Sequence, residues 1–350
     1  MPGSEKIRRL KNKVCSVEID LWGGAITSFI LRGSRINPLN FRFTLEQMPL
    51  NNRDGAPYRG HFLCLGRWGR PSEGEIKAGI PDHGQFANIV WNEKRKDSRQ
   101  LDIDCFSELE GLHLKRYIEL DSNAAVFVVT EEVCNTTALG RLYNMVQHPT
   151  LASPFLDRFT IINANADLGF DSSFSHDPER YISKWPYGLC KDMATLDLSK
   201  TENPYSSVFS YIINKESKVG WVIAFSPTSN TLIGYIWERK DYAWLNLWQD
   251  WHEGKIRYRG IEFGTTGIHK PFREIINDNN WKIFDERACD YIDAGEIRSR
   301  KYISFLYKTP PGFQGVTEVR IAGNSISLDD HISSKKIKIN TKFNFDQFLS

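Results

Sequence analysis

Apolar and polar residues alternate with a period of two through most of this chain, the pattern of strands with one buried face. In VEIDLW (17–22) Val17, Ile19 and Leu21 share a face, and Gly23-Gly24 interrupts before AITSFIL. LDIDCF (101–106), HLKRYIEL (113–120), AAVFVVTEEV (124–133), FTIINA (159–164), VFSYII (208–213), GWVIAF (220–225) and TLIGYIW (231–237) continue the series. Turn-forming stretches such as DSN, KESK and SPTSN separate them. Helical periodicity is confined to DPERYISKW (177–185) and PFREIINDNN (271–280), each with a proline at its start. Many short strands without intervening helices predict an all-β fold, with antiparallel sheets packed face to face.

The strand pattern breaks at KTPPGFQG (308–315) and resumes in VTEVRIAGNSISL and KKIKINTKFNF. A main domain over 1–308 and a C-terminal β extension over 309–350, packed on the same domain, are therefore expected. Of the 350 residues, 45 are Lys or Arg and 43 Asp or Glu, so charge gives no reason to expect nucleic acid or an anionic membrane as partner. The basic run NEKRKDSR (92–99) reads as a solvated turn. Six dispersed cysteines without a CxxC pair argue against a zinc ribbon or a dithiol redox site. The basic N-terminus lacks the apolar run of a signal peptide, and no apolar stretch reaches membrane-spanning length; a cytoplasmic protein with reduced thiols is the expectation.

Aromatic content changes the picture more than charge does. Ten Trp, thirteen Tyr and twenty-one Phe exceed what turns and loops use, and suit both a large β core and flat faces for sugar rings. Three titratable residues sit in rigid local contexts: His83 in PDHGQF, His148 in QHPTLASPF and Glu262 in RYRGIEFGTTG. Pro149 pushes His148 toward extended backbone, at a strand end. Gly260 and Gly264 leave room for a ligand beside Glu262. Taken one at a time, such residues are more often surface or hydrogen-bonded core groups; their order along the chain is what carries information.

In that order they resemble the galactose mutarotase (aldose 1-epimerase) superfamily, over roughly residues 14–308. WGGAITSF supplies a Gly-Gly turn after an early strand, FLCLGRWGRPSEGE an arginine-bearing segment, PDHG and QHP the two histidines, and YIDAGEIRSRKYISFLY the closing Gly-Glu segment. The resemblance implies a large antiparallel β-sandwich that binds a sugar on one sheet face. It implies opening and reclosure of a cyclic hemiacetal, interconverting α and β anomers, without metal or organic cofactor. Glu262 is then the base at the anomeric hydroxyl and His148 the acid at the ring oxygen. His83 orients the sugar, Arg67 or Arg70 contacts its hydroxyls, and Asp250 takes the place of the family's substrate-gripping aspartate. Alternation puts Tyr258 on the face of Glu262 and turns Arg257 and Arg259 away. Trp248, with Trp244 and Trp251, is a candidate cleft wall.

The chain departs from the family pattern after His148, where HPTLASPF stands in place of an aromatic residue. Three other readings use the same residues: a non-catalytic sugar-binding protein, a hexose-6-phosphate 1-epimerase, and a metal-dependent sugar lyase or isomerase, since two histidines and a carboxylate also suit a divalent ion. A small-molecule sugar partner and a monomer or homodimer complete the expectation.

Overall fold

A computed structural model describes residues 6–205 and 207–349. Two large antiparallel sheets face each other. One has ten strands, ordered 7–11, 15–20, 25–31, 61–65, 145–152, 255–264, 244–252, 209–213, 166–171 and 183–184. The other has eight, ordered 161–164, 219–226, 231–238, 297–308, 126–135, 112–120, 100–107 and 92–96.

The period of two decides which side chains meet between the sheets. In the ten-stranded sheet Leu63, Leu65, Met145, Leu151, Leu245, Leu247, Ile261 and Phe263 enter the main core. Their neighbours Phe62, Cys64 and Val146 emerge on the opposite face in a separate aromatic cluster. The strands 219–226, 231–238, 297–308 and 126–135 of the eight-stranded sheet are buried over much of both faces. Phe127, Val129, Val222 and Ala224 point to the main core, and Val126, Val128, Trp221, Ile223 and Phe225 point outward. That double burial explains why VFVV and GWVIAF read as unbroken apolar runs.

Covering the outward face is a three-stranded sheet, Glu318–Ala322, Ser325–Asp330 and Lys335–Asn340. Phe313, Val316, Ile326, Leu328, Ile337, Ile339 and Phe345 form one cluster with the outer side chains of the large sheet.

Two expectations from the sequence change. Asn92–Lys96 is not a turn but an edge strand, paired with Gln100–Ser107 through its backbone while all five side chains are exposed. Charges on an exposed edge oppose further strand pairing, so a basic run there is compatible with a strand. Residues 177–185 form turns and the short strand Ser183–Lys184, which pairs with Leu168 and Gly169. Pro186 disfavours helical backbone at Trp185, and the sheet edge captures the segment. The other candidate does form a helix, Phe272–Asn277, with Pro271 at its N-cap. Among the described residues no helix is long and apolar enough to cross a membrane.

Candidate active site

Strand register builds the centre of the site. The strands 145–152 and 255–264 pair antiparallel with Gln147 opposite Phe263 and Thr150 opposite Gly260. His148 therefore falls opposite Glu262. Pro149 has no N–H to donate, and the ladder is interrupted at that point. On its other side His148 lies opposite Phe62, and Glu262 lies opposite Asn246. One row across four strands thus reads Phe62, His148, Glu262, Asn246.

The His148 and Glu262 side chains meet at 3.1 Å, Nε2 to Oε1, and both are almost fully buried. The Phe62 ring stacks on the imidazole at 4.1 Å between centroids. Trp68 donates its indole N–H to Glu262 Oε2 at 2.8 Å, and Thr150 Oγ1 lies 3.0 Å from His148 Nδ1. Burial pushes the Glu262 carboxyl well above its usual range, partly offset by the Trp68 hydrogen bond. Burial likewise drives His148 well below the usual imidazole range, with His83 and His61 adding to the effect.

His83 sits in a tight turn in which Gly84 N–H donates to Pro81 O, and its backbone is left-handed at φ 63°. The turn is held by Asn51 donating to the Asp82 carboxylate and by Tyr58 O–H donating to Asp82 O. His83 Nδ1 accepts from Gly69 N–H at 3.3 Å, so Nε2 carries the proton on the neutral ring. Burial lowers its pKa to about 3. At Gly84, also left-handed, a Cβ would stand 2.1 Å from Leu65 O, so only glycine lets this turn lie against the 61–65 strand.

These groups line a cavity of about 420 Å³ walled by Phe41, Phe43, Tyr58, Trp68 and Trp248. The Trp248 indole packs against Gly260, where a Cβ would come 2.1 Å from its Nε1. That Nε1–H is buried and has no partner among the described residues, a donor aimed at nothing in the protein. Arg70 lines the mouth and makes no hydrogen bond or ion pair among the described residues; its charge acts on the Asp82 carboxyl.

His83, His148, Glu262, Trp248 and Arg70 are gathered as the sequence placed them. Three others are spent elsewhere. Arg67 is buried in an ion pair with Glu75, over the Phe272 ring, and does not line the cavity. Asp250 is bound to Arg257 at 2.5 Å on the half-exposed rim. Asp250 stays in register opposite Tyr258, on the face of Trp248, with a bulge only beyond it; its carboxylate is taken by Arg257 and does not line the cavity. Tyr258 shares the face of Glu262 but packs on Phe41 and Phe43, donating its hydroxyl to Arg42 O at 3.2 Å. Trp244 enters a separate core cluster and Trp251 the edge of the main core. Sequence reasoning missed Trp68, Thr150, Phe62 and His269. Trp68 had a visible signal, an indole between the two candidate arginines of GRWGR.

No family model and no curated protein matches this chain. Solved structures do. A galactose mutarotase related enzyme from Lactobacillus acidophilus superposes with a TM-score of 0.62 at 10% identity, covering 87% of this chain and 98% of its own. The chain has the galactose mutarotase-like fold. Galactose mutarotase-like proteins from Clostridium acetobutylicum and Lactobacillus casei agree, with TM-scores of 0.60 and 0.56 at 16% and 11% identity. They cover 86% of this chain in both cases, and 95% and 100% of their own. At such identities the galactose mutarotase-like fold is shared, and the chemistry must be read from the residues of this chain.

Proposed function

We propose that this protein is a carbohydrate epimerase acting at the anomeric carbon, interconverting the α and β forms of an aldose through its open chain. The observation that carries this reading is the buried His148–Glu262 pair at the floor of an aromatic cavity. Anomer exchange takes a proton from the anomeric hydroxyl, returns one to the ring oxygen, and reverses both on closure. Both oxygens are bonded to C1, so one carboxyl and one imidazole side by side can serve them together. The apolar face of a pyranose suits Trp248 in the cavity wall, while His83 Nε2–H offers a donor to its hydroxyls. The chemistry needs no group beyond these side chains.

Arg70 favours a sugar bearing an anionic substituent, a uronate or a 6-phosphate, over a neutral one. An unpaired guanidinium at the mouth has its full set of donors free.

The test is proton NMR of freshly dissolved single anomers of neutral aldohexoses, uronates and 6-phosphates, with and without enzyme. We expect accelerated relaxation to the equilibrium ratio for at least one sugar. A sugar that binds but relaxes at the uncatalysed rate, across the panel, would make this a sugar-binding protein instead. Arg70→Gln is expected to lower kcat/KM for the charged sugars by about tenfold or more, the weight of a charge-assisted hydrogen bond, and to affect neutral sugars less. Equal losses for both classes would remove the anionic preference.

A further inference from the structure

We propose that Glu110, reaching over from a hairpin of the eight-stranded sheet, is a positioning residue for the site: its carboxyl group holds together the two glycine turns that present Trp68 and His83. Its effect on catalysis rests on the anomeric reading above; the clamp itself is a property of the sugar-free protein.

The site draws its side chains from two kinds of backbone. His148, Glu262 and Trp248 stand on strands whose ladders fix them. Trp68 and His83 stand on the segments 66–70 and 81–85, outside the strands, and need another anchor. The two segments are tied to each other at one point. His83 N–H donates to Gly69 O at 3.0 Å, and Gly69 N–H donates to His83 Nδ1 at 3.3 Å. Gly66 also exchanges backbone hydrogen bonds with Asn144, and Asn88 donates its amide to Gly84 O.

Glu110 is the side chain that meets both turns. Gly66 and Gly84 are left-handed, at φ 84° and 81°. A Cβ on Gly66 would stand 2.1 Å from Glu110 Oε1, and one on Gly84 would stand 2.9 Å from the same oxygen. One carboxyl oxygen is therefore packed against both turns, and a side chain at Gly66 would displace it. The other, Oε2, accepts from Gln85 N–H at 3.0 Å. Ser107 completes the joint: its hydroxyl accepts from Glu110 N–H at 3.1 Å and donates to Gln85 Oε1 at 2.6 Å. A carboxyl that served only its own hairpin would need no contact with residues 66, 84 and 85.

Glu110 is 2% exposed, and a polar group buried that deeply is costly unless its contacts offset the loss of water. Burial pushes its carboxyl up to about 7, against the pull of Gln85 N–H and of the Arg141 and Arg67 charges. Ionised or neutral, the group offers Gln85 an oxygen, so the clamp does not turn on the proton.

Trp68 lies two residues after Gly66 and donates to Glu262; His83 directly precedes Gly84. A shift of either turn thus moves the donor that holds the Glu262 carboxyl or the imidazole that faces the sugar. Misplacing a positioned group by about 1 Å can cost about 10²-fold in rate.

Labelling with 5-fluorotryptophan and ¹⁵N-histidine follows both turns without a sugar, with Trp68→Phe, His83→Asn and Trp237→Phe assigning the signals. In Glu110→Ala we expect the Trp68 and His83 signals to shift or broaden, while Trp237, stacked on Phe263 in the main core, keeps its own. Anomer exchange on an accepted sugar should lose about 10- to 100-fold in kcat. Glu110→Gln keeps the length and an acceptor for Gln85, and should recover most of both. Glu110→Asp keeps the charge but is one methylene short, and should not. Wild-type Trp68 and His83 signals in a folded Glu110→Ala protein of lowered Tm would reduce Glu110 to a stability role and overturn the proposal. So would recovery by aspartate and not by glutamine, since charge rather than reach would then matter. If the alanine variant does not fold, the aspartate and glutamine pair decides by the same signals. Should the wild type accelerate no sugar, the functional reading fails while the signals still decide the clamp.

Discussion

Glu262→Gln is expected to slow anomer exchange on an accepted sugar by about 10²–10⁴-fold while leaving the fold and its stability at neutral pH essentially unchanged. Two features of the site combine in this outcome. The rate loss is what a positioned acid–base group contributes, about 3–5 kcal/mol of barrier. The retained stability follows from the shape and hydrogen bonding of the amide. Its oxygen can accept from the Trp68 indole as Oε2 does, and its NH₂ can donate to an unprotonated His148 Nε2 across the same contact. Glutamine therefore keeps the shape and the hydrogen bonds of the side chain and loses only the capacity to exchange a proton. Paired with an imidazolium it would instead set N–H against N–H, and a buried mismatch of that kind costs stability.

The pH profile of the wild type gives the same pair a second signature. Activity requires one proton on the pair. Acidification adds a second at His148, whose pKa is lowered, so activity falls only below the usual imidazole range. Alkali removes the one on Glu262, whose pKa is raised, so activity persists above the usual carboxylate range before it declines. These limbs belong to the pair as a unit. NMR exchange rates between pH 4 and 10, with denaturant midpoints for both proteins, check the whole set. Wild-type exchange in the glutamine variant, or a several-kcal/mol loss of stability, would be incompatible with it.

How much of this was legible in the sequence divides along a physical line. Local alternation is encoded residue by residue, so most strands could be read, and their scarcity of helical intervals pointed to sheet-on-sheet packing. NEKRK and residues 177–185 went wrong because their structures are decided by partners distant in sequence, the 100–107 strand and the edge at Leu168–Gly169. The site shows the same division. His83, His148 and Glu262 stood out through their own flanking glycines and proline. What could not be read was register: nothing near His148 says that it lies opposite Glu262, 114 positions on. Arg67 was an equal candidate to Arg70 until Glu75 took it from a short helix, and Asp250, the candidate for the substrate-gripping aspartate, is taken by Arg257 across a hairpin. Trp68 belongs to the site only because the 61–68 segment runs beside the strand of His148, a long-range fact.

Removing residues 309–350 is expected to turn the protein into an aggregating, poorly folded chain. The division at Lys308 marks where the large sheet ends, not where its burial is complete. Val126, Val128, Trp221, Ile223, Phe225, Leu232, Ile236, Ile303 and Phe305 all point out of that sheet beneath the tail. Each such side chain, fully buried, is worth about 1.5–3 kcal/mol, and a whole domain has only about 5–15 kcal/mol of net stability. Uncovering a handful thus exhausts the margin and leaves an apolar sheet face that invites association. The tail is also tied in by hydrogen bonds, Val316 N–H to Asn163 Oδ1 at 2.9 Å and Lys342 N–H to Asp121 Oδ2 at 2.5 Å. A milder probe separates folding from cover: Leu328→Ala, fully buried in this cluster, should cost about 2–5 kcal/mol in denaturant unfolding without altering anomer exchange in the protein that remains folded. Size-exclusion profiles and thermal melts of the 1–308 fragment decide the matter. A monomeric fragment melting with the full chain would show that the sandwich stands alone and that the three-stranded sheet is an accessory. We expect aggregates, because a sheet that carries the His148–Glu262 row on one side of the molecule depends on a partner sheet whose far face only the tail keeps dry.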